Sequence, residues 1–195
     1  DTDDGKKIVQ QYTFDFFNYA GIHRSVHLFT TPHDISIKGI IVNSHVTDER
    51  HGLVDFKINL SENITNKYHV KVSIYDRNGS NVGEVLANEE LRGEILIKNA
   101  NLWWPFLMHP EPGYLYTIEV KLIDQKEQLE VDVYRMKFGI RSLKWNSTSF
   151  LINDKPIYFR GFGRHEDSDI RGKGLDYALL TKDFNLLKWI GANSY

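Results

Sequence analysis

Cysteine is absent from the 195 residues, and proline and methionine are scarce, with five and two residues. Disulfides, thiol nucleophiles and cysteine-ligated metals are therefore excluded within this chain. No apolar run approaches the roughly 20 residues of a membrane-spanning helix. No basic-then-apolar signal pattern opens the chain, although such a signal could precede Asp1. Any chemistry must use carboxylates, histidine or lysine.

The sequence also lacks a marked excess of charge of either sign. Lys and Arg total 24 against 26 Asp and Glu, a net charge of -2. No polybasic run is present, so we expect neither a nucleic acid nor an anionic membrane surface as partner. Glycine-rich phosphate loops and the His-Glu-x-x-His and Gly-x-Ser-x-Gly motifs are missing as well. Phosphoryl transfer, zinc proteolysis and serine hydrolysis have no support in these residues.

Alternation of apolar and polar residues dominates the sequence from about Ile35 to Ile140. This pattern, interrupted by turn residues at 76–79 and 124–127, predicts about seven short antiparallel strands in an immunoglobulin-like β-sandwich. The fold class is therefore mainly β. The residues expected on buried strand faces are Val54, Phe56, Ile58, Leu60, Val70, Val72, Ile74, Ile95, Ile97, Tyr114, Tyr116, Ile118, Val120, Leu122, Leu129, Val131 and Val133.

The pattern differs on both sides of this segment. Residues 9–17 and 25–30 look like two strands of an earlier domain, which ends at an extended linker around Pro32. After Arg141, residues 150–152 and 157–159 flank a turn at 153–156 as a hairpin. We therefore divide the chain into residues 1–32, residues 33–141 as the sandwich, and residues 142–195.

A helix is predicted from Asp176 to Ile190, with Asp176 as N-cap and Gly191 as the stop. Leu180, Phe184 and Leu187 form its apolar stripe, with Leu179, Leu186 and Ile190 beside them. Strand, loop, helix and strand form the opening unit of an α/β barrel, which carries binding groups on the loops after its strands. A second strand begins near Tyr195, so the chain is expected to stop within a domain.

The loop of this unit contains His165, Glu166, Asp167 and Asp169. Its residues have three interpretations. The acids could pair with Arg164, Arg171 and Lys173 in a solvated loop, the loop could line a polar ligand, or His with two acids could hold a metal.

Three further clusters have both a functional and a structural interpretation. Asp15 lies among aromatic residues, an arrangement that suits sugar binding, or it is an edge-strand acid bonded to backbone. Residues 103–106 form a sugar platform or a hydrophobic plug between domains. His23 and Arg24 could bind an anion or form a structural contact. Four Asn-x-Ser/Thr sequons, at Asn59, Asn63, Asn78 and Asn146, suggest a secretory-pathway parent, although Asn78-Gly79 is also a turn signal.

Several motifs together resemble the β-glucuronidases of glycoside hydrolase family 2. They are DFFNYAGIHR at 15–24, LWWP at 102–105, FGIR at 138–141, FLIN at 150–153 and the whole run 161–195. The resemblance covers the entire chain. It implies the end of a jelly-roll sugar-binding domain at 1–32, an immunoglobulin-like sandwich, and the first β/α unit of a TIM barrel.

Function is also implied by this resemblance: hydrolysis of terminal β-D-glucuronosides with retention by two glutamates about 5 Å apart. Those glutamates lie on later barrel strands, so no catalytic residue is expected here. Asp15 matches an acid with which the family binds the glucuronate sugar. His165 matches a histidine near the floor of the pocket, which either binds the substrate or orients a neighbouring carboxylate. The family uses no cofactor or metal. A homotetramer is implied, and LWWPFLMH at 102–109, together with the sequons, favours a lysosomal animal enzyme over a cytoplasmic bacterial one.

Two alternatives differ in their consequences. A relative that cleaves β-galactosides or β-mannosides would share the sandwich and the barrel start. A non-catalytic sandwich used as an assembly or binding module would share the sandwich alone.

Overall fold

The computed structural model describes residues 19–47 and 50–195. These residues belong to two compact units. One comprises Phe29–Phe159, and the other combines residues 19–28 with Arg160–Tyr195. Asp15 and the predicted strand at 9–17 lie outside the described residues.

Seven antiparallel strands of the described residues form two sheets in the first unit. The three-stranded sheet has the order β1-β2-β5, and the four-stranded sheet has the order β4-β3-β6-β7. Both are antiparallel throughout, which confirms the predicted sandwich. The strands are β1 Ile37–Val46, β2 Gly52–Leu60, β3 Tyr68–Tyr75, β4 Asn81–Leu86, β5 Arg92–Ile97, β6 Tyr116–Asp124 and β7 Leu129–Phe138.

The core of the sandwich contains the inward faces that alternation predicts. Val54, Val72, Ile118, Val120 and Leu122 are completely buried, and the other members of the predicted set pack with them, except Leu129 and Val133 on β7. Burying one such side chain contributes about 1.5–3 kcal/mol relative to its exposed state. Apolar burial between the two sheets is therefore the main stabilising term of this unit.

The prediction for β7 is wrong in part. Leu129 is 60% exposed, and Val133 lies opposite Lys121 on the outer face of the sheet. A register shift between Leu122 and Ile123 inserts an extra residue into β7. Such a bulge exchanges the two faces of a strand, so inward residues beyond it are Met136 and Phe138.

Two predicted turns are confirmed and depend on aspartate. Asp76 Oδ1 accepts from the N–H groups of Asn78 and Ser80, and Gly79 supplies the positive φ of 85°. Asp124 Oδ1 accepts from the N–H groups of Glu127 and Lys126 at 3.1 and 2.9 Å. The bond from Glu127, followed by that from Lys126 and by the charge of Lys67, lowers the pKa of Asp124.

A small sheet of order β10-β9-β8 completes this unit, with β8 at Leu143–Trp145, β9 at Phe150–Ile152 and β10 at Lys155–Ile157. The hairpin was predicted with a four-residue turn, but only Asn153 and Asp154 form it. Their φ values of 51° and 63° match a two-residue type I′ turn, whose twist suits a hairpin. Pro156 joins edge strand β10 opposite Leu151, where a strand tolerates a missing donor.

The second unit contains α1, Tyr177–Trp189, within the predicted limits. Asp176 caps it by accepting from the Leu179 N–H at 3.1 Å, and Gly191 follows it with a φ of 73°. Residues 25–30 form no strand, which corrects the prediction, because alternation alone does not supply a pairing partner. Among the described residues, no helix has the length and apolar character of a membrane span.

Candidate functional site

The candidate site is the loop at 161–174, called the site loop below. It begins where Gly161 forms a parallel bridge with Ser194. Beside this bridge, the Asn193 N–H donates to the Arg160 carbonyl at 3.0 Å, and Asn193 Oδ1 accepts from the Arg160 N–H at 2.7 Å. Two parallel segments joined by a loop and α1 form the predicted β/α unit. The site loop follows the first segment, where barrels carry their binding groups.

Backbone hydrogen bonds give the far half of the site loop a defined shape. Ser168 and Gly172 exchange two N–H to carbonyl bonds, both 2.9 Å long. Gly172 has a φ of 52°, and the Gly174 N–H donates to the Arg171 carbonyl at 2.8 Å. Glycine is required at 172, since L side chains rarely adopt this backbone geometry.

His165 lies on the near half of the site loop with its side chain 46% exposed. Its Nδ1 is 4.0 Å from Asp167 Oδ1, a distance that permits electrostatic attraction but exceeds a hydrogen bond. The more buried Asp167 therefore faces the ring without fixing its orientation. This arrangement places a histidine at the surface of the loop, with a carboxylate beside it.

The charged partners of the site loop differ from the predicted ones. Arg164 donates through Nε and Nη2 to Asp183 on α1, at 3.2 and 3.0 Å, and is largely buried. Arg171 lies 3.5 Å from the cap residue Asp176. Both arginines thus fasten the loop to the helix instead of pairing with the loop acids. The interpretation as a self-paired solvated loop is wrong in its partners.

Glu166 pairs with Arg24, which is 142 residues away in sequence. The Arg24 Nη2 to Glu166 Oε2 distance is 2.6 Å, and Arg24 Nε donates to the Lys173 carbonyl at 3.2 Å. Arg24 therefore makes the structural contact that was one of its two interpretations. Sequence reasoning missed this pair because no spacing relates residues from opposite ends of the chain.

His23, next to Arg24, presents a different feature. Its Nε2 is buried without a hydrogen-bond partner among the described residues, while the Tyr19 ring packs edge-on at a centroid distance of 5.9 Å. In the part of the chain that the structure describes, no three His, Asp or Glu side chains are grouped to hold a metal ion. The predicted roles of Asp15 and His165 in substrate binding stay predictions.

The tryptophans at 103 and 104 lie in the sandwich unit. Trp104 is 8% exposed, stacks on His109 with an interplanar angle of 7°, and has Lys155 Nζ 5.0 Å from its ring centroid. Arg141 covers Trp103 at 4.6 Å. With their faces occupied in this way, the rings serve packing and leave little surface for a sugar.

A groove of about 580 Å³ lies beside these rings in the same unit, and its lining is mostly polar. Arg50, Lys144 and Lys155 face it together with the carboxylates Glu111 and Asp154. Lys144 and Asp154 neutralise one another at 2.5 Å. The groove therefore offers no concentrated charge of one sign.

A β-sandwich and a β/α unit with a fastened polar loop define a multidomain protein of the sandwich-plus-barrel class. Two family models match it: "Glycosyl hydrolases family 2" over residues 35–141 and "Glycosyl hydrolases family 2, TIM barrel domain" over residues 143–195. The chain belongs to glycosyl hydrolase family 2. The expected sandwich and barrel start are thereby confirmed, while the jelly-roll assignment and the domain limits stay predictions.

Similar proteins are β-glucuronidases. The mouse enzyme is 46% identical over 187 residues and the human enzyme 44% over 189, in each case 96% of this chain. Among solved structures, the Dictyoglomus thermophilum enzyme has a TM-score of 0.76 at 43% identity over 93% of this chain. The Ruminococcus gnavus enzyme in complex with D-glucuronic acid has a TM-score of 0.75 at 32% identity over 92%. The chain spans 28% of the length of each of these relatives.

Proposed function

We propose that this chain is part of a retaining β-D-glucuronidase that hydrolyses terminal β-D-glucuronosides, in glycosaminoglycans or glucuronide conjugates. The observation that carries the proposal is the similarity to β-glucuronidases, at 44–46% identity over 96% of the chain. It includes the site loop with His165. A relative of the same family in complex with D-glucuronic acid supports an acidic sugar as ligand.

In this proposal, the chain supplies sugar contacts and scaffold but no catalytic residue. Retention requires a general acid/base and a nucleophile with carboxyl groups about 5–5.5 Å apart. Glu166 and Asp167 do not suit these roles, because Glu166 is paired with Arg24 and Asp167 faces His165. The two glutamates therefore belong to the remainder of the parent, and the chain alone is inactive.

Asp15 and His165 are the proposed substrate contacts. A carboxylate at 15 accepts sugar hydroxyl hydrogens, and His165 donates from an exposed ring that has Asp167 beside it. Losing one charge-assisted hydrogen bond costs about 1.5–3 kcal/mol, which corresponds to roughly a 10- to 150-fold loss of kcat/KM.

Assembly, glycosylation and location form a further part of the proposal. The parent is a homotetramer, a lysosomal glycoprotein and a jelly-roll, sandwich and barrel enzyme divided at residues 32 and 141. In support of glycosylation, Asn59, Asn63, Asn78 and Asn146 are all exposed. Light scattering of the purified parent tests the tetramer, and glycosidase-induced mass shifts test the glycans.

The central experiment is hydrolysis of fluorogenic glycosides by the full-length parent. We expect the glucuronide to be cleaved much faster than the galactoside or mannoside. Asp15→Ala and His165→Ala should each lower kcat/KM for the glucuronide by about 10- to 150-fold with the melting temperature retained. Faster cleavage of galactoside would assign the parent to a different activity, and no cleavage at all would support a non-catalytic module.

A further inference from the structure

Arg24 connects two parts of the second unit that are distant in sequence. Its guanidinium reaches both arms of the site loop, Glu166 on the first and the Lys173 carbonyl on the second. Glu166 is the residue next to His165. A single peptide unit joins the residue that Arg24 holds to the histidine, so a displacement of Arg24 should also displace His165.

Close backbone contact accompanies these hydrogen bonds. A Cβ built at Gly174 would lie 3.1 Å from the His23 carbonyl oxygen and 2.9 Å from the Arg171 carbonyl oxygen. At Gly172 a Cβ would lie 3.0 Å from the ring of Tyr19. The second arm of the site loop thus rests directly on residues 19–24, where a side chain larger than that of glycine would force its neighbours to shift.

The ion pair with Glu166 limits the ability of Arg24 to bind a ligand. Its side chain and that of Glu166 are about half exposed, 52% and 68%, but the two charges are 2.6 Å apart. Because Glu166 already neutralises the guanidinium, and Glu166 and Lys173 engage two of its N–H groups, a further carboxylate is bound less favourably there than at an unpaired arginine. Its geometry suits holding a loop better than holding a ligand.

We propose that Arg24 is a positioning residue for the β-glucuronidase activity proposed above, on which this inference rests. Through Glu166 and the Lys173 carbonyl, Arg24 sets the place of the site loop and with it the place of His165. It does not contact the sugar carboxylate. Ion pairs this exposed contribute little to stability, whereas a displacement of about 1 Å at a site can lower a rate roughly 100-fold.

The test uses the full-length parent and three changes: Arg24→Ala, Glu166→Gln and the charge swap Arg24→Glu with Glu166→Arg. We expect Arg24→Ala to lower kcat/KM for a fluorogenic glucuronide by about 100-fold with an unchanged melting temperature. Glu166→Gln keeps a hydrogen-bond acceptor and should lose less. The charge swap restores the ion pair but not the bond to the Lys173 carbonyl. Its kcat/KM should therefore be at least about tenfold higher than that of Arg24→Ala.

A matched control is available in the sandwich unit. Lys144 and Asp154 form an ion pair of similar exposure, 63% and 67%, at 2.5 Å. Lys144→Ala removes such a pair in the sandwich unit, outside the site loop and its partners, and should leave kcat/KM within about twofold. Equal losses in Arg24→Ala and Lys144→Ala would overturn the inference.

The swap also separates positioning from substrate binding. If Arg24 bound the sugar carboxylate, glutamate at 24 would repel it, and the double variant would be worse than Arg24→Ala. That result would overturn the inference while leaving the proposed activity intact. An inactive wild-type parent, by contrast, would remove the proposed function.

A second readout needs no activity. In the chain itself, the ring signal of His165 in proton NMR can be assigned by its disappearance in His165→Gln. We expect Arg24→Ala to move that signal, the swap to return it towards its original place, and Lys144→Ala to leave it unchanged. An unmoved signal in Arg24→Ala would show that the site loop keeps its place without the arginine.

Discussion

Asn153 is a small residue on which the sandwich unit depends heavily. Its Oδ1 accepts from the Ser142 N–H at 2.9 Å, and its Nδ2 donates to the Trp103 carbonyl at 3.0 Å. The Asn153 N–H also donates to the Ser142 carbonyl at 3.0 Å. The residue is buried and has a φ of 51°. One side chain therefore links the β9–β10 hairpin to two segments of the sandwich.

Replacing Asn153 with glycine removes the two side-chain bonds and keeps the backbone geometry. A buried group that loses its partner costs about 1–3 kcal/mol. Ser142 and Trp103 are only half-buried, so water compensates partly. We expect a loss of about 2–3 kcal/mol in the free energy of unfolding, which corresponds to a decrease of roughly 4–12 °C in melting temperature.

Asp154→Gly is the matched control, because Asp154 occupies the second position of the same turn with a φ of 63°. Asp154→Gly changes the backbone freedom as much as Asn153→Gly does. It removes only the exposed bond to Lys144, which contributes about 0–1 kcal/mol to stability. Urea unfolding of the chain, followed by tryptophan fluorescence, measures both. If the two variants differ by less than about 0.5 kcal/mol, the bonds of Asn153 do not hold the hairpin.

Asn153→Asp adds a pH test to this prediction. It keeps the Oδ1 acceptor for Ser142 but puts an oxygen, in place of the Nδ2 donor, against the Trp103 carbonyl. We expect Asn153→Asp to be destabilised at neutral pH and to regain stability relative to wild type as the carboxyl becomes protonated. A constant difference between pH 7 and acid would contradict the assigned roles of the two side-chain atoms.

Two further predictions concern capping and acid stability. Asp176→Ala should destabilise α1 by about 0.5–2 kcal/mol, because the Leu179 N–H loses its acceptor. Asp176→Asn keeps an acceptor and should retain most of the stability. Circular dichroism during thermal unfolding measures the difference between the two variants. The pKa of Asp124 is lowered in the folded protein, so its contribution is present above the unfolded value of about 3.9 and is lost as the pH falls through the folded value. Asp124→Asn should therefore unfold with a weaker pH dependence in acid, and identical acid-unfolding curves for both proteins would refute this.

The sequence predicts the sandwich well because burial on one face forces a period of two. Val54, Val72 and Ile118 are buried as alternation requires. It fails at β7, where one inserted residue exchanges the faces. It also fails at residues 25–30, which alternate without a described partner strand. Local pattern determines which face is apolar, but bulges and strand pairing depend on neighbours distant in sequence.

The sequence indicates where the candidate site lies, but it does not predict which residues contact one another there. The density of charge and glycine after a strand-like run marks the loop, and the cap at Asp176 marks where it ends. The partner of Glu166 could not be foreseen, because Arg164, Arg171 and Lys173 are all closer in sequence than Arg24. Contacts between distant segments require the fold itself.

These contacts distinguish two kinds of charged residue in the second unit. Arg164 and Arg171 fasten the site loop to α1 through Asp183 and Asp176, and Arg24 fastens it to residues 19–24. Engaged in this way, the arginines fix the course of the loop that carries His165. A substitution at any of the three arginines should then act by displacing the histidine, and the effect on kcat/KM should be largest at Arg24, which reaches both arms of the site loop.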